Sequence, residues 1–317
     1  MTLQLVTGGA GFIGSHLTER LLSQGHDVRV VDDFSTGKRE NLRFPGRATG
    51  WGRLEVMEGD LTDPGTARRA VRQVEHVFHQ AAIPSVPRSV ADPAATNQAN
   101  VGGTLNLMLA ARDAGVRRFV YASSSSLYGD TPELPKVETM PPRPQSPYAV
   151  SKLACEQYAQ VFHRLYGLPT VGLRYFNVFG PRQDPGSQYA AVVPKFIVAI
   201  ASSRPPTIFG DGHQTRDFTY VGNVVEANLL ASASGERALG GSFNIACGRR
   251  ISLLDLVAII NGIFESSIEP VHEAARPGDV RHSLADVSAS EEMLGYRPTI
   301  EVQEGLVKTA EWFAKRR

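Results

Sequence analysis

A doubly wound α/β fold with a smaller lobe beyond it is the architecture this sequence predicts, on three observations. Short apolar runs alternate with helical stretches through the first half of the chain, the pattern of strand–helix–strand units in a parallel sheet. A glycine-rich turn, TGGAGFIGSH, lies between the first apolar run and the first helical stretch. An acid, Asp32, closes the second run.

Each element follows in order. Leu3–Thr7 is the first strand, and helical periodicity runs from Ile13 to Gln24. Val28–Val31 is the second strand, ending on Asp32 and Asp33. Leu54–Met57, His76–His79 and Phe119–Ala122 read as three more, separated by helices around Ala67–Gln73 and Ala99–Ala114. The runs LQLV, VRVV and RFVYA are almost continuously apolar, as strands covered on both faces should be. Beyond about Tyr175 the alternation fades, and prolines at 181, 185, 194, 205, 206, 270, 277 and 298 shorten the segments. The expectation is a Rossmann-type doubly wound parallel sheet with a smaller α+β C-terminal substrate lobe. Residues 1–176 with roughly 213–245 would form the sheet domain, and roughly 177–212 with 246–317 the lobe.

Composition narrows the partners. Against 33 basic residues stand 32 acidic ones, a net charge of +1, so no charge excess argues for nucleic acid or an anionic membrane. Two cysteines, Cys155 and Cys247, make neither a disulfide framework nor a zinc site; a reducing cytoplasm and no metal are expected. The apolar start LQLV breaks into Gly-Gly almost at once, unlike a secretory signal. No apolar run approaches the roughly 20 residues of a membrane span. A soluble cytoplasmic protein is the expectation.

The glycine turn spaces Gly8, Gly11 and Gly14 as G-x-x-G-x-x-G. Such spacing lets backbone amides and a helix N-terminus approach a pyrophosphate. Alone it would also suit a tight structural turn. Asp32, 18 residues beyond Gly14, decides between the two, since a carboxylate there can accept bonds from a ribose diol. It would repel a 2′-phosphate, so NAD is favoured over NADP.

The stretch SPYAVSK sets Tyr148 one helical turn before Lys152, both on one face. Tyrosine ionises near pH ~10 in water, and needs a positive neighbour to exchange protons near neutrality. Lys152 can be that neighbour, and its ammonium could also bond a nicotinamide ribose. Ser123–Ser126 follow the strand RFVYA, at the strand end where ligands sit in these sheets. By itself Tyr148 could be an ordinary half-buried tyrosine, since Tyr-x-x-x-Lys is common by chance. With the glycine turn, Asp32 and the serines in order, chance is a poor account.

The ordered set TGGAGFIGSH, VDDFSTGK, GDLTD, HQAA, NQANVGGT, YASSSSLYG, SPYAVSK, LRYFNVFGPRQDP, TRDFTYV and RPGDVRHSLAD resembles the extended short-chain dehydrogenases/reductases. More narrowly, it resembles nucleotide-sugar 4-epimerases of the UDP-galactose/UDP-N-acetylglucosamine type. The resemblance spans nearly the whole chain and implies NAD as cofactor, a UDP-sugar as substrate and a homodimer. It makes Tyr148 the acid–base, Lys152 its tuner, and Ser124 the partner of the sugar 4-hydroxyl. Along the cofactor it sets Gly8, Gly11, Phe12, Ile13, Gly14, Asp32, Asp33, Thr36 and Gly37. Asp60 and Leu61 would meet the adenine, and Gln80, Ala81, Ala82, Asn100 and Tyr175 would lie further along. For the substrate it implies Ser85, Arg88, Ser125, Val192, Val193 and Thr207, with Asn177 on the nucleotide sugar. Phe209 would pack near uracil, Arg216 and Arg276 would grip the diphosphate, and Asp279 would meet the uridine ribose. Taken singly, Arg216 could be a surface ion pair and Phe209 a core residue.

Departures from relatives sort the chemistry. The resemblance puts Asp-Glu in 4,6-dehydratases where Ser125 and Ser126 stand, and Glu in UDP-glucuronate decarboxylases at Ser126. Hydroxyls cannot abstract a C5 proton as a carboxylate does. Uronate 4-epimerases often read RQRP where this chain has Arg182-Gln183-Asp184-Pro185, so Asp184 counts against UDP-glucuronate. The resemblance makes Ser283 the gatekeeper, a position where a small residue admits a 2-acetamido group. The implied activity is 4-epimerisation of UDP-glucose/UDP-galactose and of their N-acetyl counterparts through a 4-ketose. UDP-glucuronate 4-epimerase, a reductase releasing its reduced cofactor, and a non-catalytic NAD-binding regulator stay open. The dimer would pack the Asn100 and Tyr148 helices, using Leu105, Leu107, Met108 and Leu109 with Leu153, Tyr158, Val161, Phe162 and Leu165.

Overall fold

Seven strands form one sheet in the computed structural model, which describes residues 2–186, 191–275 and 280–316. In chain order they are β1 (Leu3–Thr7), β2 (Asp27–Asp32), β3 (Leu54–Glu58), β4 (Val74–His79), β5 (Arg118–Ser124), β6 (Thr170–Tyr175) and β7 (Ser242–Ile245). They lie side by side as β7-β6-β5-β4-β1-β2-β3, and each neighbouring pair is parallel. The order reverses between β1 and β4, so a crevice opens at their C-terminal ends, where ligands bind in open α/β sheets.

Both faces of the sheet are covered. Leu5 and Val6 are adjacent on β1 yet belong to opposite cores, because successive strand side chains alternate faces. On one face the helices Phe12–Ser23 and Val221–Ala233 contribute Leu17, Leu21, Val224 and Ala231. On the other, Pro64–Ala70, Gly103–Asp113 and Pro147–Tyr166 contribute Ala67, Leu107, Met108 and Phe162. A third core, with Phe196, Ile197, Leu256, Ile260 and Leu306, belongs to the lobe helices Val192–Ala201, Leu253–Ile263 and Val302–Ala314. Three short strand pairs accompany it, Thr207–Phe209 with Val271–Glu273, Thr215–Arg216 with Ile251–Ser252, and Val178–Phe179 with Thr219–Tyr220.

Local chemistry sets the helix ends. Ser146 caps the Tyr148 helix by accepting from the Ala149 amide, Pro147 fills its first position, and Gly167 closes it in the left-handed conformation; this is the Pro-start, Gly-stop asymmetry of helices. The helix expected over Ala67–Gln73 runs instead over Pro64–Ala70. Asp63 and Pro64 are its start signal, for the Asp63 carboxylate accepts from Gly65 and Thr66. The Asn100 helix begins with a π-helical turn, Gln98–Gly102, before its α-helical part.

Candidate active site

The cofactor end is built around β1. Gly8 has a left-handed φ of 65°, and a Cβ there would lie 2.8 Å from the Ala81 backbone at the end of β4. Gly14 presses closer still, since its Cβ would meet the Gly8 carbonyl at 2.2 Å. Only glycines let the turn, the helix and β4 meet at this distance. Gly11 caps the helix without a side-chain bond, and its first turn, with Phe12 and Ile13, holds no acid. The positive helix end is therefore left for an anion.

Asp32 is buried at the tip of β2, where its carboxylate accepts from the amides of Ala10 and Phe34, each at 2.9 Å. Burial raises its pKa, and the two amides work against that rise. Gly37 backs onto it, for a Cβ would fall 2.6 Å from Asp32 Oδ1. Asp33, Thr36 and Asp60 are exposed nearby, whereas Leu61 is buried. This glycine cradle and its acid fit a dinucleotide. Gln80 and Tyr175 lock each other: the Tyr175 hydroxyl donates to Gln80 Oε1 at 3.1 Å, Gln80 Nε2 donates to Asn228 Oδ1 at 3.0 Å, and Asn228 Nδ2 donates to Tyr175 at 2.9 Å. Burial pushes the Tyr175 phenol up to about 12.

At the strand ends beyond β4 and β5, Lys152 is 6% exposed, donates to the Ala122 carbonyl at 2.9 Å and lies 5.9 Å from the centre of the half-buried Tyr148 ring. One of its three donors is thus fixed to β5 and two remain. Ser124 accepts from the Ser126 amide at 3.2 Å and the Ser126 hydroxyl at 2.9 Å, which leaves its own hydroxyl hydrogen for a ligand oxygen. Ser125 opens the short helix that these bonds cap.

Asn100 is tied to the protein behind it. It is 1% exposed, with Oδ1 accepting from the Ile83 amide at 2.7 Å and Nδ2 donating to Ser151 at 3.0 Å and the Ile83 carbonyl at 3.3 Å. Its amide is spent on protein, so it holds the loop after β4, with Ala82, against the Tyr148 helix. Behind it, His79 bridges Thr7 at 2.7 Å and Thr104 at 2.8 Å, and Thr104 donates to the Asn100 carbonyl. Burial first, and then the Lys152 charge, drives the His79 pKa down to about 3. This imidazole is neutral.

Sequence reasoning missed the polar backing of the site. Glu156 takes a bidentate bond from Arg174 at 3.0 and 2.8 Å and accepts from Ser123. Arg174 also donates to the Tyr128 hydroxyl at 2.8 Å. Glu156 is a turn beyond Lys152 on the same face, a spacing visible in SPYAVSKLACEQ. The ion pair joins the Tyr148 helix to β6, and the Ser123 bond joins it to β5.

On the lobe side, Asn177 has a φ of 34° and donates to the Asp217 carbonyl at 3.3 Å. Arg216 donates to the carbonyls of Thr215 at 2.9 Å and Arg281 at 3.1 Å, and the Ser283 amide donates to the Thr215 carbonyl at 3.1 Å. Gln214 reaches the Phe209 carbonyl at 2.6 Å, so Phe209, Arg216 and Ser283 share one neighbourhood. Thr207 is on the same strand as Phe209. The Val193 side chain is 1% exposed within the lobe core, while Val192 is partly exposed. Ser85 caps a short helix by accepting from the Arg88 amide at 3.2 Å, and Arg88 is exposed. Arg276 and Asp279 lie outside the described residues. Asp184 is at the surface, 3.5 Å from Lys38.

A sequence profile of the NAD dependent epimerase/dehydratase family matches residues 4–246. The chain belongs to this family. It is an NAD-using enzyme with an extended short-chain dehydrogenase/reductase fold. It is 42% identical over 311 residues to a UDP-glucose 4-epimerase of Mycolicibacterium smegmatis, covering 98% of this chain and 97% of that one. Among solved structures, it superposes on UDP-N-acetylglucosamine 4-epimerase from Methanobrevibacter ruminantium with a TM-score of 0.93 at 41% identity, over 100% of this chain and 99% of that one. UDP-glucose 4-epimerase of Thermus thermophilus, solved with NAD, gives 0.88 at 39% identity over 99% of each chain. Among the described residues no helix is long and apolar enough to cross a membrane.

Proposed function

We propose that this epimerase-family enzyme interconverts UDP-glucose with UDP-galactose, and UDP-N-acetylglucosamine with UDP-N-acetylgalactosamine, by 4-epimerisation through a 4-keto sugar. The observation that carries this reading is the grouping of Tyr148, Lys152 and Ser124 at the C-terminal strand ends beside the glycine turn. The named activities of the similar epimerases support the substrate class.

Bound NAD supplies a reversible hydride acceptor for C4. Tyr148 takes the proton of the sugar 4-hydroxyl, and Lys152, held by the Ala122 carbonyl, favours the phenolate form. Ser124 donates to the same oxygen. When the ketose has turned over, Tyr148 returns the proton on the other face. Arg216, Asn177 and Phe209 hold the nucleotide while the sugar moves. Ser283, small and partly buried, leaves room for an acetamido group. Asp184, where an arginine could have met a sugar carboxylate, counts against UDP-glucuronate, which belongs in the test as the alternative substrate.

Leu109, Val150, Tyr158, Leu165 and Tyr166, all on the helix pair, are exposed apolar residues. Leu107, Met108 and Phe162, expected with them, are buried in this chain's own core. The reading extends to a homodimer through that helix pair, and a monomeric mass at micromolar concentration would sink it.

The deciding assay follows anomeric protons by NMR for the four neutral UDP-sugars and UDP-glucuronate. Interconversion within each neutral pair, without accumulation of reduced nicotinamide, is the expected result. Turnover of UDP-glucuronate alone, or of none, would overturn it.

A further inference from the structure

Asp217 follows Arg216, is 0% exposed and has no role in the proton transfer described above. Its Oδ1 accepts from the Cys247 amide at 2.9 Å and its Oδ2 from the Ala285 amide at 3.2 Å. The amides of Gly248 and Arg249 also turn toward it. Successive amides facing one carboxylate make a backbone concavity for negative charge. Burying an acid in this way is costly, so a position serving stability alone would be better filled by an apolar side chain.

What the carboxylate achieves is registration of three segments. The first is Thr215–Arg216, which carries the proposed diphosphate ligand. The second is the turn after β7, residues 246–249. The third is residues 281–285, which carry Ser283 and are zipped to Thr215 through the Ser283 amide at 3.1 Å. The Asp217 carbonyl receives the Asn177 amide at 3.3 Å, and the Asn177 carbonyl accepts from Thr219 at 3.2 Å. Arg216, Ser283 and Asn177 therefore lie on segments bonded to Asp217 or to its immediate neighbours.

We propose that Asp217 is the positioning residue of the nucleotide-sugar site, fixing Arg216, Asn177 and Ser283 in one geometry toward a UDP moiety. This rests on the UDP-sugar reading above. Asp217 touches neither the sugar nor the cofactor; it acts through these three.

The test replaces Asp217 with Asn in the full NAD-loaded enzyme. Asparagine offers one acceptor oxygen, and its Nδ2 would oppose a backbone donor at Cys247 or Ala285. UDP alone is titrated by calorimetry, and kcat and KM are measured with UDP-glucose. Expected are a tenfold or greater weakening of UDP, a matching rise in KM, kcat within threefold and an unchanged NAD content. A purely structural role would lower the melting temperature and leave UDP affinity and KM within twofold, and that result overturns the proposal. Should Asp217→Asn fail to fold, Asp217→Ser, which keeps an acceptor and buries no charge, is judged by the same criteria. A wild-type enzyme that does not bind UDP overturns the parent reading together with this one. Wild-type binding beside an indifferent variant overturns this one alone.

Discussion

The sheet side of the site and its lobe side hold their polar groups by different means. Around β1, β4, β5 and β6, a buried network of side chains holding one another backs the groups that, like Asp32 and Lys152, also rest on the backbone: Glu156 with Arg174, Gln80 with Tyr175 and Asn228, His79 with Thr7 and Thr104. On the lobe side the backbone does the holding, with Asp217 on amides, Arg216 on carbonyls and Asn177 on the Asp217 carbonyl. The first arrangement suits chemistry, which needs a proton donor fixed to a fraction of an ångström. The second lets the side chains facing the substrate change while the loops that carry them stay in place.

The largest effects should come from the sheet side. Tyr148→Phe removes the only hydroxyl proposed to exchange the substrate proton. Loss of general acid–base catalysis is expected to lower kcat by about 10³-fold, with NAD content unchanged in the purified protein. Retention of more than a tenth of wild-type kcat would break the assignment and leave Ser124 as the alternative proton donor.

Next is the buried ion pair. Arg174→Met takes from buried Glu156 its ion-pair partner, a change that typically costs about 3–5 kcal/mol. Urea unfolding should show this as a lowered midpoint with an unaltered slope. Arg174→Met with Glu156→Leu should recover much of the loss, because two apolar groups need no partners. If the double variant is no more stable than the single one, the pair is not the unit that ties the catalytic helix to β6.

How much of this was legible in the sequence divides along the same line. The glycine turn, Asp32 and Tyr148 with Lys152 are short-range patterns, and each was found where the spacing put it. Strands β6 and β7 were not assigned. Arg174 interrupts the apolar run TVGLRY, and the Glu156 that makes it tolerable is 18 residues away. Asn100 shows the reverse difficulty: spacing alone does not show that its side chain bonds the Ile83 backbone and Ser151, partners 17 and 51 residues away. Val193 could not be placed from pattern either, since an apolar residue opening a helix suits a pocket wall and a core equally well.

Acidification should pull the two sides in opposite directions. The His79 pKa is lowered in the fold, to about 3 from 6.5, so the folded state binds fewer protons than the unfolded one between those values. Its contribution is present at neutral pH and is lost as pH falls through 6.5, on the order of 2 kcal/mol between pH 7 and pH 5. The Asp217 pKa is raised to about 6 from 3.8, chiefly by burial. Between those values the folded state binds more protons, so this contribution is full below 3.8 and fades as pH rises through 6. Going from pH 7 to pH 5, it gains on the order of 1 kcal/mol. Unfolding free energies of wild type, His79→Gln and Asp217→Asn at both pH values would separate the two. His79→Gln should remove the acid loss and Asp217→Asn the acid gain; equal pH dependence in all three would show that neither group sets it.

The finest test concerns the lobe side alone. If backbone anchoring frees Ser283 to vary, then Ser283→Tyr should alter selectivity and little else, because the Thr215 contact uses the Ser283 main chain. The added ring would fill the space assigned to the acetamido group. Discrimination by one such steric contact typically amounts to about 10–200-fold in kcat/KM, so turnover of the N-acetyl pair should fall by that factor while UDP-glucose and UDP-galactose keep theirs within threefold. A parallel loss in both pairs would mean that the 281–285 segment moved with its side chain, and the lobe would then be as tightly coupled as the sheet. Undiminished acetamido turnover would place the gate elsewhere in the pocket.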